Sequence, residues 1–255
     1  MLLAVIALLV LAACGRPQGA DDTTIRVAAA SDLTHAFEEV AKAYEAKTGK
    51  KTKLTFGSTG LLSKQVIDGA PFDVFAAANV SFVDEVVAKG SCDGSTKGLY
   101  ARGRIVLYTK DGPPVRDLGE LTEAHIKKIA IANPEHAPYG RAAREALEAK
   151  GIYESLRSKL TFGENVSQTM QFAESGNVDV AIIALSLAIP SRGKYTVIDD
   201  SLHAPLDQAL VVCGAGARSD LGRGFVDFVA SPEGRSIMKR FGFLLPGEAL
   251  PVAEK

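Results

Sequence analysis

The sequence predicts an α/β fold of two Rossmann-like lobes joined by a hinge. Three observations predict it. Short apolar runs that read as strands alternate with stretches of helical period. This alternation occurs once up to about residue 104 and again beyond it. Two more apolar runs, near Ile105–Tyr108 and Ala209–Val212, are placed to carry the chain to the second lobe and back. Strand–helix alternation favours mostly parallel sheets with helices on both faces. The expected division is residues 25–104 and 207–255 for the first lobe and 105–206 for the second.

Each element has a local reason. IRVAAAS, Ile25–Ser31, is an apolar run ending in small residues and reads as the first strand. Leu33, Phe37, Val40, Ala41 and Tyr44 then share one helical face, and Gly49 stops that helix. KLTF, Lys53–Phe56, is the second strand. The Gly57–Gly60 loop opens a helix that carries Leu61, Leu62, Val66 and Ile67 and stops at Gly69. PFDVFAAAN holds a third strand, and Phe82, Val83, Val86 and Val87 line a third helix. RGRIVLYTKDGPP is a fourth strand with a turn after it. The second set begins with KKIAIANP and a helix from about Tyr139 to Lys150. A second KLTF at Lys159–Phe162, a helix from about Ser167 to Ser175, and VDVAIIAL complete it. DQALVVC is a last strand. DLGRGFVDFVAS and PEGRSIMKRFGF are closing helices, with the chain end returning to the first lobe.

The chain has 255 residues, 47% of them hydrophobic, enough for one large or two medium units. A net charge of -1 gives no electrostatic footprint for nucleic acid. There is no internal repeat and no low-complexity tract. The N-terminal run is apolar from Leu2 to Ala13, too short to span a bilayer, as expected of an export signal. LAAC, Leu11–Cys14, resembles the bacterial lipobox. That resemblance implies a signal peptide over 1–13, lipidation of Cys14, attachment to the membrane through that lipid, and a tether over 14–24. No Lys or Arg precedes Cys14, which departs from the usual signal; a plain signal peptide and a buried helix are the alternatives. Cys92 and Cys213 would then meet an oxidising compartment. Their distance apart in sequence favours two separate thiols over a disulfide. No Cys/His spacing suggests a metal, and no cofactor is expected.

Four strand-end loops carry the functional signal. AAASD places Ser31 before a helix, and FGSTG places Ser58 and Thr59 before another. ANPEHAPYGRAA opens a helix at Pro138, Tyr139 and Gly140, and FGENVSQTM opens one at Asn165, Val166 and Ser167. Each loop alone reads as ordinary capping. Together, in both lobes of an exported chain, they would surround an anion with backbone donors and the positive ends of helix dipoles.

Five stretches, taken in order, resemble the molybdate-binding proteins that serve ABC transporters. They are VAAASDL, FGSTGLLSKQVIDGAPFDVFAAAN, ANPEHAPYGRAAREAL, ENVSQTMQFAESGNVDVAIIALS and SPEGRSIMKRFGF. The likeness runs from about Ile25 to Phe243. It implies a type II periplasmic binding fold, with an oxyanion buried between two lobes and delivered to a permease and an ATPase. Molybdate or tungstate would be the ligand. The family's contacts fall on Ser31, on Thr59 with Ser58 before it, and on the backbone of Tyr139 and of Val166. A family tyrosine falls on Ala184, which removes one donor from the expected set; Ser186 or a water is the candidate replacement. Ser58 and Thr59 would both cap the helix and clamp the ligand, with Gly57 and Gly60 letting the backbone approach.

Rival classes fare worse. Catalysis needs Ser or Cys beside a placed base. Of His35, His125, His136 and His203, only His136 lies near these loops, GSTG lacks elbow spacing, and Ser63-Lys64 is not S-x-x-K. The chain is therefore read as a binding protein and not an enzyme. Iron sites of this fold use tyrosines and carboxylates, and the loops offer only Tyr139. A sugar site needs several aromatics, and the chain has no Trp and is 7% aromatic. Sulfate is the serious alternative ligand, and an adhesion or scaffold lipoprotein the remaining class. Asp32 has two readings: it points away and caps the helix at Leu33–Phe37, or it faces inward and selects a protonated ligand such as hydrogen phosphate.

Overall fold

The structure is a computed structural model that describes residues 23–248. The expected signal peptide, Cys14 and most of the tether lie outside those residues. The strands in chain order are β1 (Ile25–Ala30), β2 (Thr52–Gly57), β3 (Val74–Ala77), β4 (Asp93–Gly103) and β5 (Ile105–Thr109). They continue with β6 (Ile129–Ala132), β7 (Leu160–Gly163), β8 (Val180–Ala184), β9 (Lys194–Val197) and β10 (Leu206–Val212). The helices are α1 (Thr34–Thr48), α2 (Thr59–Ile67), α3 (Val80–Ala88), α4 (Pro138–Ala149) and α5 (Tyr153–Leu156). Then come α6 (Val166–Glu174), α7 (Leu185–Ala188), α8 (Ala217–Ala230) and α9 (Pro232–Arg240). A single 3-10 turn, Ser31–Leu33, separates β1 from α1.

Two five-stranded sheets result, ordered β2-β1-β3-β10-β4 and β7-β6-β8-β5-β9. β1 runs parallel to β2 and β3, and β6 parallel to β7 and β8. β10 is antiparallel to β3 and β4, and β5 antiparallel to β8 and β9. The sheets are therefore mixed and not mostly parallel as the alternation suggested. The cause is topological. The strands that follow each crossover, β5 and β10, enter the middle of a sheet running against its parallel core.

Period-two alternation explains how the first sheet buries both faces. Ile25, Val27 and Ala29 face one core cluster with Phe37, Val40 and Phe225, while Ala28 faces another with Leu62, Phe75, Val83 and Val86. On the first side, edge-on aromatic contacts join α1 to α8: Phe37 to Phe225 at 5.9 Å and Tyr44 to Phe228 at 5.4 Å between ring centroids. Asp73, just before β3, is buried and accepts from the Arg26 amide at 2.7 Å and from Arg218 Nε at 2.8 Å. Burial alone would raise this carboxyl, but the bonds from Arg218 and Arg26 outweigh it and hold it below the usual carboxylate range. No helix among the described residues is long and apolar enough to cross a membrane.

Two strands escaped the pattern. β4, DGSTKGLYARG, is a polar edge strand with little apolar alternation, and β9, KYTV, is a four-residue edge. Missing β4 also hid a covalent link. Asp93 pairs with Val212 across the β4–β10 ladder, so Cys92 and Cys213 lie directly opposite each other, and they form a disulfide. The expectation of two separate thiols was wrong because 121 residues of sequence separation say nothing about strand register. Replacing both with Ser should lower stability by about 2–4 kcal/mol. Urea melts of wild type with and without reductant should show the same loss; coincident melts would show that the bond does not form.

Candidate functional site

Four helix starts converge on one small cavity between the lobes. Ser31, Asp32, Ser58 and Thr59 line it from the first lobe, and Pro138, Tyr139, Asn165 and Val166 from the second. β1 ends at Ala30, so Ser31 begins the 3-10 turn; Thr59 and Val166 are the first residues of α2 and α6, and Tyr139 is the second of α4. Amides at these positions have no intrahelical acceptor. Among the described residues none of the four meets any other protein acceptor. Each is a donor aimed out of a helix start, where the dipole adds partial positive charge. Among the described residues no Lys or Arg lines the cavity. Among the described residues no cluster of three or more His, Cys, Asp or Glu is placed to hold a metal ion.

The hydroxyls divide their work. That of Ser31 makes no protein hydrogen bond among the described residues, while its carbonyl accepts from Thr34 Oγ1 at 2.7 Å and Ser167 Oγ at 2.9 Å. The Thr59 hydroxyl accepts from the Ala78 amide at 3.2 Å, which leaves its own proton to donate. Ser58 differs from expectation. It makes no cap bond to α2; its Oγ reaches across to His136, donating to the carbonyl at 2.7 Å, with Nδ1 at 2.8 Å. A carbonyl can only accept, so the bond to it uses the serine's single proton, and the Nδ1 contact then requires the tautomer protonated at Nδ1. In that tautomer His136 is no base for Ser58, and the pair is a bridge between lobes. The Gly60 amide donates to the same carbonyl at 2.9 Å.

Asp32 overturns the expectation that it caps a helix. It is buried, caps nothing, and lies on the cavity wall. Its Oδ2 accepts from Gln208 Nε2 at 2.7 Å and from the Tyr139 hydroxyl at 3.0 Å, across the lobes. Tyr100 extends the chain, donating to Gln208 Oε1 at 2.8 Å. Burial pushes the Asp32 carboxyl up to about 6, although the bonds from Gln208 and Tyr139 and its own backbone amide pull it down. Burial, with Asp32 beside it, also pushes the Tyr139 phenol well above its ordinary value.

Residues 25–244 match the family described as bacterial extracellular solute-binding proteins. The chain belongs to this family. Molybdate-binding protein ModA of Rhodobacter capsulatus is 33% identical over 218 residues, 85% of this chain and 86% of the relative. YvgL of Bacillus subtilis, described as a putative ABC transporter substrate-binding lipoprotein, is 28% identical over 94% of this chain and 95% of its own. Among solved structures, the periplasmic molybdate-binding protein of Azotobacter vinelandii superposes with a TM-score of 0.83 at 25% identity, covering 87% of this chain and 99% of the other. These relatives are binding proteins and not enzymes, in keeping with the directed proton on Ser58.

In this solute-binding protein Ser31, Ser58, Thr59, Tyr139 and Val166 come together at the cavity, and Ala184 does not. Ala184 ends β8 fully buried, and the turn after it carries Ser186, whose hydroxyl donates to the Asp32 carbonyl at 2.7 Å. Ser186 is therefore committed to the wall and is not the replacement donor. The residues missed from sequence are Gln208 and Tyr100. The available signal was a glutamine inside the apolar run DQALVV, where only a partnered polar group is tolerated. Gly60 has a further requirement: a Cβ there would lie 2.8 Å from the His136 carbonyl oxygen. Gly60→Ala should therefore hold the lobes apart and weaken ligand binding by about 1–3 kcal/mol. Small-angle scattering with saturating ligand should show a more open particle than wild type; an unchanged profile and affinity would contradict the fit.

Proposed function

We propose that this chain captures molybdate, and tungstate with it, between its lobes and hands the anion to an ABC permease and ATPase. The observation that carries this reading is the set of four unpaired helix-start amides around one cavity without a cation. A fully ionised tetrahedral dianion only accepts hydrogen bonds, so an all-donor wall suits it. ModA from Rhodobacter and the Azotobacter protein, both named for molybdate, support that choice. The proposed ligand set is the hydroxyls of Ser31 and Thr59 with the amides of Ser31, Thr59, Tyr139 and Val166. Sulfate has the same charge but is smaller, so it reaches fewer donors at once. The inward Asp32 favours a second reading, hydrogen phosphate, whose own proton an ionised carboxylate would accept.

Thermal scans separate these ligands. A ligand held only by the folded protein adds about 2.7 kcal/mol at a hundred times its dissociation constant. Molybdate and tungstate should raise the melting temperature most, sulfate less, phosphate least. A phosphate shift above the molybdate shift selects the second reading. Ser31→Ala is the cleanest site variant, because its hydroxyl has no protein partner to lose. It should weaken molybdate by about 1.5–3 kcal/mol, the range for a hydrogen bond to a charged group, without lowering ligand-free stability.

We also propose that the chain is tethered to a membrane by lipid on Cys14. The LAAC motif and the naming of YvgL as a lipoprotein support this. Palmitate fed to a bacterial host should label wild type and not Cys14→Ser. A wild type that stays unlabelled and is released with the soluble periplasm would remove the tether.

A further inference from the structure

Asp32 is the only acidic residue among the described residues that line the cavity, and its carboxyl group, turned toward Gln208 and the Tyr139 phenol, is half-satisfied. Oδ2 takes two donors, from Gln208 and Tyr139. Oδ1 is buried and has no hydrogen-bond partner among the described residues. An ionised carboxylate in that state is costly, and a dianion beside it makes it costlier. Among the described residues no cation acts on this carboxyl. The groups that face the carboxyl are the Tyr139 phenol from α4, the Tyr100 phenol from β4 and the neutral Gln208 amide from β10. From α6 and α7, Ser167 and Ser186 contribute only hydroxyls, bonded to the carbonyls of Ser31 and Asp32.

We propose that Asp32 is a specificity-determining residue that takes up a proton as the oxyanion is captured, so that no buried carboxylate stands beside the bound dianion. The inference rests on the oxyanion reading above. The proton comes from the buffer acid, an O–H bond forms at Oδ1, and no bond of the anion breaks. Oδ2 keeps both of its donors, so the bridge between the lobes survives protonation. Hydrogen phosphate behaves differently. It brings its own proton and would meet ionised Asp32 without any uptake from the buffer.

The free carboxyl, pushed up by burial to about 6, is mostly ionised at neutral pH. A bound dianion raises it further, so the complex holds more protons than the free protein between those two values. Affinity then falls as pH rises through that window, by at most about tenfold per unit, and is flat below about pH 6. The same raised value means that Asp32 favours the folded state fully below its unfolded value of 3.8 and loses that contribution as pH rises through about 6.

The test is calorimetry of the whole protein with sodium molybdate at about pH 7, in buffers of different ionisation enthalpy, with affinity followed from about pH 6 to 8. Wild type should take up close to one proton and lose affinity across that range. D32N, whose amide keeps an acceptor and adds a permanent donor, should show buffer-independent heats and a flat profile. The wild-type heats decide the matter even if D32N does not fold. Tight molybdate binding with equal heats in every buffer overturns the role of Asp32 and leaves the ligand reading standing. An unchanged pH slope in D32N overturns it as well. No heat with molybdate, tungstate, sulfate or phosphate overturns the ligand reading and this inference together.

Discussion

The Asp32 carboxyl is shared between lobes, and the geometry of the cavity depends on that sharing. Gln208 holds it from the first lobe and the Tyr139 hydroxyl from the second. Tyr139 is consequently fixed at both ends. Its amide faces the cavity at the start of α4, and its ring crosses to the junction between β4 and β5. There a Cβ on Gly103 would sit 2.0 Å from the phenol oxygen, so the ring occupies a slot that only glycine leaves open. A donor amide on one wall is thus positioned by a carboxyl on the other. Position matters because a helix-start donor acts only over its first turn.

Beside the Arg104 guanidinium donating to the Gly242 carbonyl and Arg141 over the Phe82 ring, several contacts between the lobes are of one kind. Ser58 and Gly60 donate to the His136 carbonyl, Ser167 to that of Ser31, and Ser186 to that of Asp32. Hydroxyls and amides meeting backbone carbonyls contribute about 1 kcal/mol each, net of the water they displace. Such a set orients the two walls, and apolar packing adds to it where Leu185 and Ile189 of the second lobe lie against Gly242 of the first.

Much of this was legible because helix starts advertise themselves. Ser31, Thr59, Tyr139 and Val166 follow strand-like runs and precede apolar helical faces, and those features are local. The two-lobed alternation was legible for the same reason. What stayed hidden depends on partners distant in sequence. The Cys92–Cys213 bond follows from the register of a polar edge strand that has no apolar signature. The direction of Asp32 is set by Gln208, 176 residues away, and by Tyr139, 107 residues away. Read locally, an acidic residue before a helix is a cap, and that reading fails here because buried donors elsewhere compete for the carboxyl. The Ser58 hydroxyl was misread as a cap for the same reason, with His136 as the competitor.

Among the described residues no cation lines the wall, and this bears directly on selectivity. A Lys or Arg there would attract every anion through its charge, largely regardless of shape, and would pair with Asp32 and hold it ionised. Neutral donors distinguish ligands by how many they reach and at what angle, because an unreached buried donor costs about 1–3 kcal/mol. Discrimination between anions of equal charge then becomes a question of size, which a wall fixed by Tyr139 and the His136 bridge can enforce. Keeping Asp32 free of any cation is what leaves it able to change its charge with the ligand. On the proposed reading, the same choice of uncharged donors makes the cavity selective by fit and its one acidic residue, among those described, responsive to the ligand.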